Sequence, residues 1–222
     1  SHGVMTHGSL PEANSIEVVS PAGVCCAGMH AIKYAYLAIK SGETKLAVAT
    51  GSERFSGLLV SDVFEEEAQK LKEMEENPFI AFQKDFLRWM LSDGASAFLM
   101  SDKPNETGLS LRLDWIEGAS YANEMDTCMY MGGEKMEDGS LKGFMDYTPE
   151  EIMNKSIFSV KQDITLLSDN IVHLGGKKIK EIMDRKGLTS KDVDYVLPHI
   201  SSDFFKTKIY DLVEYYGGGI PY

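Results

Sequence analysis

An α/β fold is the class this sequence predicts, and three observations carry that expectation. Short apolar stretches alternate with helix-patterned ones along the chain. Between Ser15 and Thr50 the order is strand, tight bend, helix, strand, the layout of a βαβ unit. Near the other end, Asp194 to Tyr216 repeats the passage from apolar strand to helix.

The elements follow in order. Ile16, Val18 and Val19 give the first short strand, which Ser20-Pro21-Ala22-Gly23 interrupts. Ala27 to Lys40 (AGMHAIKYAYLAIK) places Ile32, Ala35, Tyr36 and Ile39 at helical spacing, and Ser41-Gly42 stops the helix. Leu46 to Thr50 (LAVAT) has the continuous apolar character of a strand in a parallel sheet. Glu65 to Glu76 reads as an exposed, solvated helix, and Phe79 to Leu91 as an apolar helix for core or dimer contacts. Ser96 to Met100 is another strand, and Leu109 to Ile116 is strand-like. The turn-rich residues Asp102 to Gly108 between them suggest two halves, 1–106 and 107–222. Gly118 to Thr148, rich in Met, Gly and Tyr, reads as a long loop or cap. Glu150 to Lys186 is mostly helical in pattern, with a close-packing point or kink at Gly175-Gly176. Asp194 to Leu197 is a strand ending at Pro198-His199, and Ser202 to Tyr216 is a last helix before three glycines.

With 43% hydrophobic and 25% charged residues, the composition is that of a globular protein with a core. No run approaches the ~18 to 20 apolar residues that a membrane-spanning helix needs. Residues 1–10 lack the basic flank and apolar centre of a signal peptide, so a cytoplasmic setting is expected. A formal net charge of −12 argues against nucleic acid as a partner, because phosphate binding needs a basic footprint. The three cysteines, Cys25, Cys26 and Cys128, do not make a disulfide framework, and no ligand spacing points to zinc.

Cys26 stands at the bend between a strand and a helix. Helix N-terminal amides and the helix dipole favour an anion there, which raises the thiolate population and offers donors to a thioester oxyanion. Ala27 and Gly28 leave room for a pantetheine thioester to approach. The bland alternative is a pair of inert, buried cysteines. His199 falls just past the carboxyl end of a strand, where α/β folds place catalytic groups. An imidazole there can donate to a thioester carbonyl or move a proton. Its bland alternative is a structural histidine closing a strand end.

GVCCAGMHAIKYAYLAIKSGETKLAVATGSE resembles the nucleophile segment of the β-ketoacyl-ACP synthase III family of condensing enzymes, in which the cysteine before Ala-Gly is the nucleophile. LSDGASAFLM (Leu91 to Met100) resembles the family's glycine-containing strand entry, and DYVLPHISSDFF (Asp194 to Phe205) its strand-Pro-His segment. The three occur in the family's order over nearly the whole chain. Ile200-Ser201-Ser202 depart from the usual residues after the histidine, and the long interval from Cys26 to His199 is more like larger relatives in specialised lipid or resorcinol-type pathways.

The resemblance implies a thiolase-like layered α/β/α/β/α fold, incomplete in this chain, with the family's opening strand-helix unit and its catalytic asparagine and oxyanion loop expected beyond the two ends. It implies Cys26 and His199 as catalytic residues and a homodimer. The partners it implies are acyl-CoA and acyl carrier protein, with a cap at 118–148 selecting the acyl chain. Covalent catalysis of this type needs no metal or redox cofactor, and coenzyme A or phosphopantetheine enters only as part of a substrate. Three alternatives remain: a hydroxymethylglutaryl-CoA synthase, a thiolase, and a non-catalytic interaction subunit like the chain-length partners of condensing enzymes.

Overall fold

The computed structural model describes residues 1–59, 90–155 and 157–217. The predicted helices over Glu65 to Glu76 and Phe79 to Leu91 therefore lie outside the described residues, apart from the last two positions of the second. So do the second and third of the three terminal glycines. The class is mixed α/β, built from helices and small antiparallel sheets. Two compact units divide the chain. One joins Ser1–Gly57 to Ser92–Gly118, and the other includes Ala119–Tyr222. Residues 107–118 thus belong with the first unit.

In the first unit, α1 (His2–Gly8) is followed by an extended segment, a 3-10 turn at Val24–Cys26 and α2 (Ala27–Ser41). Helix α2 ends at Gly42 as its sequence predicts. Strand β1 (Leu46–Glu53) leads into the short α3 (Ser56–Leu59), and β2 is Gly94–Ser101. Strands β1 and β2 form a two-stranded sheet with Leu46 opposite Ser101 and Glu53 opposite Gly94. Helix α2 covers β1: Ala49 is buried, and a Cβ placed on Gly51 would lie 4.0 Å from the Gly28 Cα. The other face is bare, with Leu46, Val48 and Leu99 all more than half exposed.

Three expectations are corrected here. Ile16 to Val19 forms no strand. Ser15 sits at φ +53, and the segment instead lies against α1, where the Gly3 amide donates to Ser20 Oγ at 3.0 Å. The βαβ unit is therefore absent among the described residues, and β1 runs antiparallel to its neighbour instead of within a parallel sheet. Leu109 to Ile116 is likewise not a strand, with Leu109 and Leu111 exposed; Tyr36 Oη holds that stretch through the Asp114 carbonyl at 2.9 Å. Alternating apolar residues make a strand only where another strand offers its edge.

The second unit corrects the long-loop reading of 118–148. Its β3 (Met129–Tyr130), β4 (Gly133–Lys135) and β5 (Leu141–Gly143) are followed by a 3-10 turn at Phe144–Asp146, then α4 (Pro149–Asn154) and β6 (Lys161–Gln162). Strand β3 pairs with β6 and β4 with β5, both antiparallel. Ile157 is fully buried, and its carbonyl accepts from the Gly132 amide at 3.0 Å. The region is thus stitched to residues some 30 positions downstream. A Thr148–Glu151 capping box with Pro149 at the first helical position starts α4, satisfying amides that a helix end leaves open.

Helix α5 (Ile164–Lys186) continues unbroken through Gly175-Gly176, and Gly176 is buried. Asp163 caps it, accepting from the Leu166 amide at 2.9 Å. Helix α6 (Asp203–Gly217) packs on α5, with Phe205 against Ile164 and with Met90, Leu167 and Ile209 around them. No helix among the described residues is long and apolar enough to cross a membrane.

Candidate active site

The chain turns sharply before α2. Gly23 sits at φ +146 and Val24 at φ +50. A β-branched residue in the left-handed region is an outlier that costs roughly 1–3 kcal/mol, and such strain clusters at functional sites. Beyond this elbow, Cys26 occupies the N-cap position of the 15-residue α2, and its side chain makes no capping hydrogen bond. Both Cys25 and Cys26 are exposed, so the reading of two buried, inert thiols does not hold.

Partial desolvation, and then the neighbouring Cys26, push the Cys25 thiol up from the ordinary thiol range. A raised value lowers the Cys25 thiolate fraction at neutral pH. The supply of oxyanion donors is smaller than the sequence implies. The Cys26 amide donates to the Gly23 carbonyl at 2.9 Å and the Ala27 amide to the Val24 carbonyl. The 3-10 turn thus occupies two amides that a bare helix start would leave open, and an oxyanion here must draw on later ones.

Sequence reasoning passed over two side chains, His30 at the elbow and Asp93 at the start of β2. His30, one turn into α2, places Nδ1 3.1 Å from the Ala22 carbonyl. Its spacing of four from Cys26 is the signal that marks it, because side chains four apart share a helix face and lean toward the N-terminus. Asp93, within the segment that resembles the family's strand entry, accepts from the Ser56 amide at 2.7 Å and the Ser56 hydroxyl at 2.6 Å. The hydroxyl first, and then the amide, hold its carboxyl below the usual range. Asp93 thereby ties the start of β2 to the chain leaving β1.

His199 lies in the second unit, in an irregular stretch. The strand expected at Asp194 to Leu197 is not formed, and Tyr195 and Leu197 are 74% and 90% exposed. The placement of His199 at a strand's carboxyl end is therefore corrected: four residues without a neighbouring edge stay irregular. His199 is exposed and has no hydrogen bond among the described residues. Within each unit taken by itself, Cys26 and His199 have different surroundings, and what pairs them is the sequence resemblance.

Two further features belong to the second unit. A groove of about 410 Å³ runs between α5 and α6, lined by Val172, His173, Lys208, Asp211, Leu212 and Tyr215. It is open and mostly apolar and includes neither predicted residue. Lys135, mostly buried, lies 3.0 Å from Asp163 and 3.6 Å from Asp126. Beside this pair Cys128 donates to the Asp163 carbonyl at 3.4 Å, and desolvation above all pushes its thiol up. That cysteine reads as structural. Among the described residues no group of three or more His, Cys, Asp or Glu is arranged to hold a metal ion.

No protein-family model matches the chain, and no curated protein matches it significantly.

Proposed function

We propose that this chain is part of a condensing enzyme of the β-ketoacyl-ACP synthase III kind, with a thiolase-like layered fold in the whole protein, and that Cys26 accepts the acyl group. The observation that carries the reading is an exposed cysteine at the head of a 15-residue helix, just after a strained elbow, inside the segment that resembles the family's nucleophile motif. Its setting allows nucleophilic chemistry: the thiol is reachable, and the helix dipole favours its anion.

The Cys26 thiolate attacks the carbonyl of an acyl-CoA or acyl carrier thioester. The carrier thiolate leaves, and an acyl-Cys26 thioester remains. A malonyl carrier thioester then binds and loses CO2, and the electron pair of the broken bond forms an enolate. His199 stabilises the enolate oxygen by donating a hydrogen bond, with an asparagine from elsewhere in the protein. The enolate carbon attacks the acyl carbonyl, the Cys26 thiolate leaves, and the β-ketoacyl carrier thioester is released. Coenzyme A and phosphopantetheine enter as parts of substrates. The setting we propose is cytoplasmic fatty-acid or related lipid or polyketide synthesis, by a homodimer that works with an acyl carrier protein.

The test is labelling of the intact protein with radioactive acyl-CoA, followed by malonyl carrier thioester and mass analysis of the product. The expectation is label on the peptide holding Cys26, its loss in Cys26→Ala, and a fall in condensation of at least about 10³-fold in that variant. Product from acetyl-CoA in place of malonyl carrier thioester would instead favour the thiolase or hydroxymethylglutaryl-CoA synthase alternative. No label in the intact wild type would favour the non-catalytic subunit.

A further inference from the structure

The elbow ahead of Cys26 holds two positive-φ residues in succession, Gly23 at φ +146, open to glycine, and Val24 at φ +50, where a β-branched residue is strained. Strained residues persist only where their surroundings over-determine them. One side chain makes direct contact with this turn from the helix that follows it. His30 Nδ1 is 3.1 Å from the Ala22 carbonyl, and a Cβ built on Gly23 would stand 3.0 Å from both Nδ1 and Cε1 of the same ring. The imidazole therefore lies against the Gly23 backbone. A carbonyl only accepts, so the ring proton sits on Nδ1 in this contact.

His30 thus joins the residue before this positive-φ pair to the helix turn after Cys26, so that the thiol is bracketed on both sides. Glycine at position 23 leaves room for the ring: a Cβ there would stand 3.0 Å from it, so the ring would have to give by a few tenths of an ångström, and the φ of +146 is one that side-chain-bearing residues rarely adopt.

We propose that His30 is a positioning residue for the nucleophile: through Nδ1–H it clamps the Ala22–Val24 elbow and so fixes the direction in which Cys26 presents its sulfur. This rests on the reading of Cys26 as an acyl acceptor, and it adds a residue that acts on the thiol through the backbone without touching substrate. A sulfur held by such a clamp has a fixed attack geometry, and a displacement of even an ångström is costly to a reaction of this kind.

The experiment uses the intact protein with Cys25→Ser, so that modification of the neighbouring thiol does not confuse the reading at Cys26. Three changes are added separately: His30→Ala, His30→Asn and His30→Gln. Asparagine carries an N–H near the place of Nδ1–H, whereas glutamine carries one near Nε2. Two rates are measured for Cys26, alkylation by iodoacetamide followed by peptide mass spectrometry, and acyl transfer from radiolabelled acyl-CoA. The expected result is a fall of about tenfold or more in both rates for alanine and glutamine, with asparagine restoring them to within about threefold. Wild-type rates in the alanine variant, or equal losses in the asparagine and glutamine variants, would overturn the clamp. If the alanine variant does not fold, the asparagine and glutamine variants decide alone. Alkylation separates this proposal from the function: an ordered alkylation series without any acyl transfer retains the clamp and removes the acyltransferase, and a flat alkylation series with acyl transfer present does the reverse.

Discussion

Lys135 and Asp163 show how one pair of residues organises a unit with few buried side chains. Desolvation opposes the charged form of each. For Asp163 it is outweighed by the Leu166 amide and the Lys135 ammonium, so its carboxyl lies below the ordinary range. For Lys135 it is outweighed by the hydrogen bond and charge of Asp163, so its ammonium lies above. The lowered carboxyl contributes stability that is complete above the unfolded value of about 3.9 and fades as pH falls through the lower folded value. The raised ammonium contributes stability that is complete below about 10.4 and fades as pH rises through its folded value. Asp163→Ala removes the α5 cap and leaves a mostly buried ammonium facing only the more distant Asp126. The expected loss is about 2 kcal/mol at neutral pH, narrowing in acid, where protonation weakens the same contacts in the wild type. Asp163→Asn keeps the cap and should lose less. Urea titrations at about pH 7 and pH 3 check both the size and the pH trend; equal losses at the two pH values would refute the assignment. None of this was legible in the sequence, because Lys135 and Asp163 are 28 residues apart and no periodicity links them.

At the scale of elements, the helices were the most legible part. Helix α2 was expected over Ala27 to Lys40 and spans Ala27–Ser41; α6 was expected over Ser202 to Tyr216 and spans Asp203–Gly217. Helical hydrogen bonds are local, so spacing and stop signals suffice to place them. Strands fared unevenly. LAVAT and SAFLM each lie within a real strand because they meet each other, whereas Ile16 to Val19, Leu109 to Ile116 and Asp194 to Leu197 have equal apolar character and no partner edge among the described residues. The double glycine of α5 separates into two roles. Gly176 is buried, while a Cβ at Gly175 would meet nothing within 4 Å. Gly175→Ala should therefore raise stability by about 0.5–1 kcal/mol, through higher helix propensity and a less free unfolded chain. Chemical denaturation reads this directly, and a destabilised variant would mean that Gly175 is packed after all.

On the scale of the whole chain, the two units differ in what they bury. The first has Ala35 and Ala49 as its buried apolar residues among those described, and Leu46, Val48, Phe98 and Leu99 on β1 and β2 are more than half exposed. The second buries Ile157, Ile164, Phe205 and Val213. A two-stranded sheet with one covered face is marginal by itself, whereas a buried Phe–Ile contact between helices contributes several kcal/mol. Calorimetry of this chain should therefore show two transitions, the lower one from the first unit. Phe205→Ala should cost about 3–4 kcal/mol and shift only the upper transition, and Phe98→Ala should cost less than about 1 kcal/mol. A single transition shifted equally by both changes would count against this division. Local spacing and a motif were enough to specify α2, α5 and α6, the mixed α/β class and the choice of Cys26 over its neighbours as a candidate nucleophile, whereas α1 went unread. Contacts between distant segments settled which apolar runs became strands and that they pair antiparallel. The folded chain also settled that His30 and Asp93 brace the elbow and β2, and that the 3-10 turn takes up two of the helix-start amides. Each of those outcomes needs groups far apart in sequence, or a backbone angle no residue type announces, to meet in space, and a linear pattern carries no record of which distant edge or carbonyl will be there.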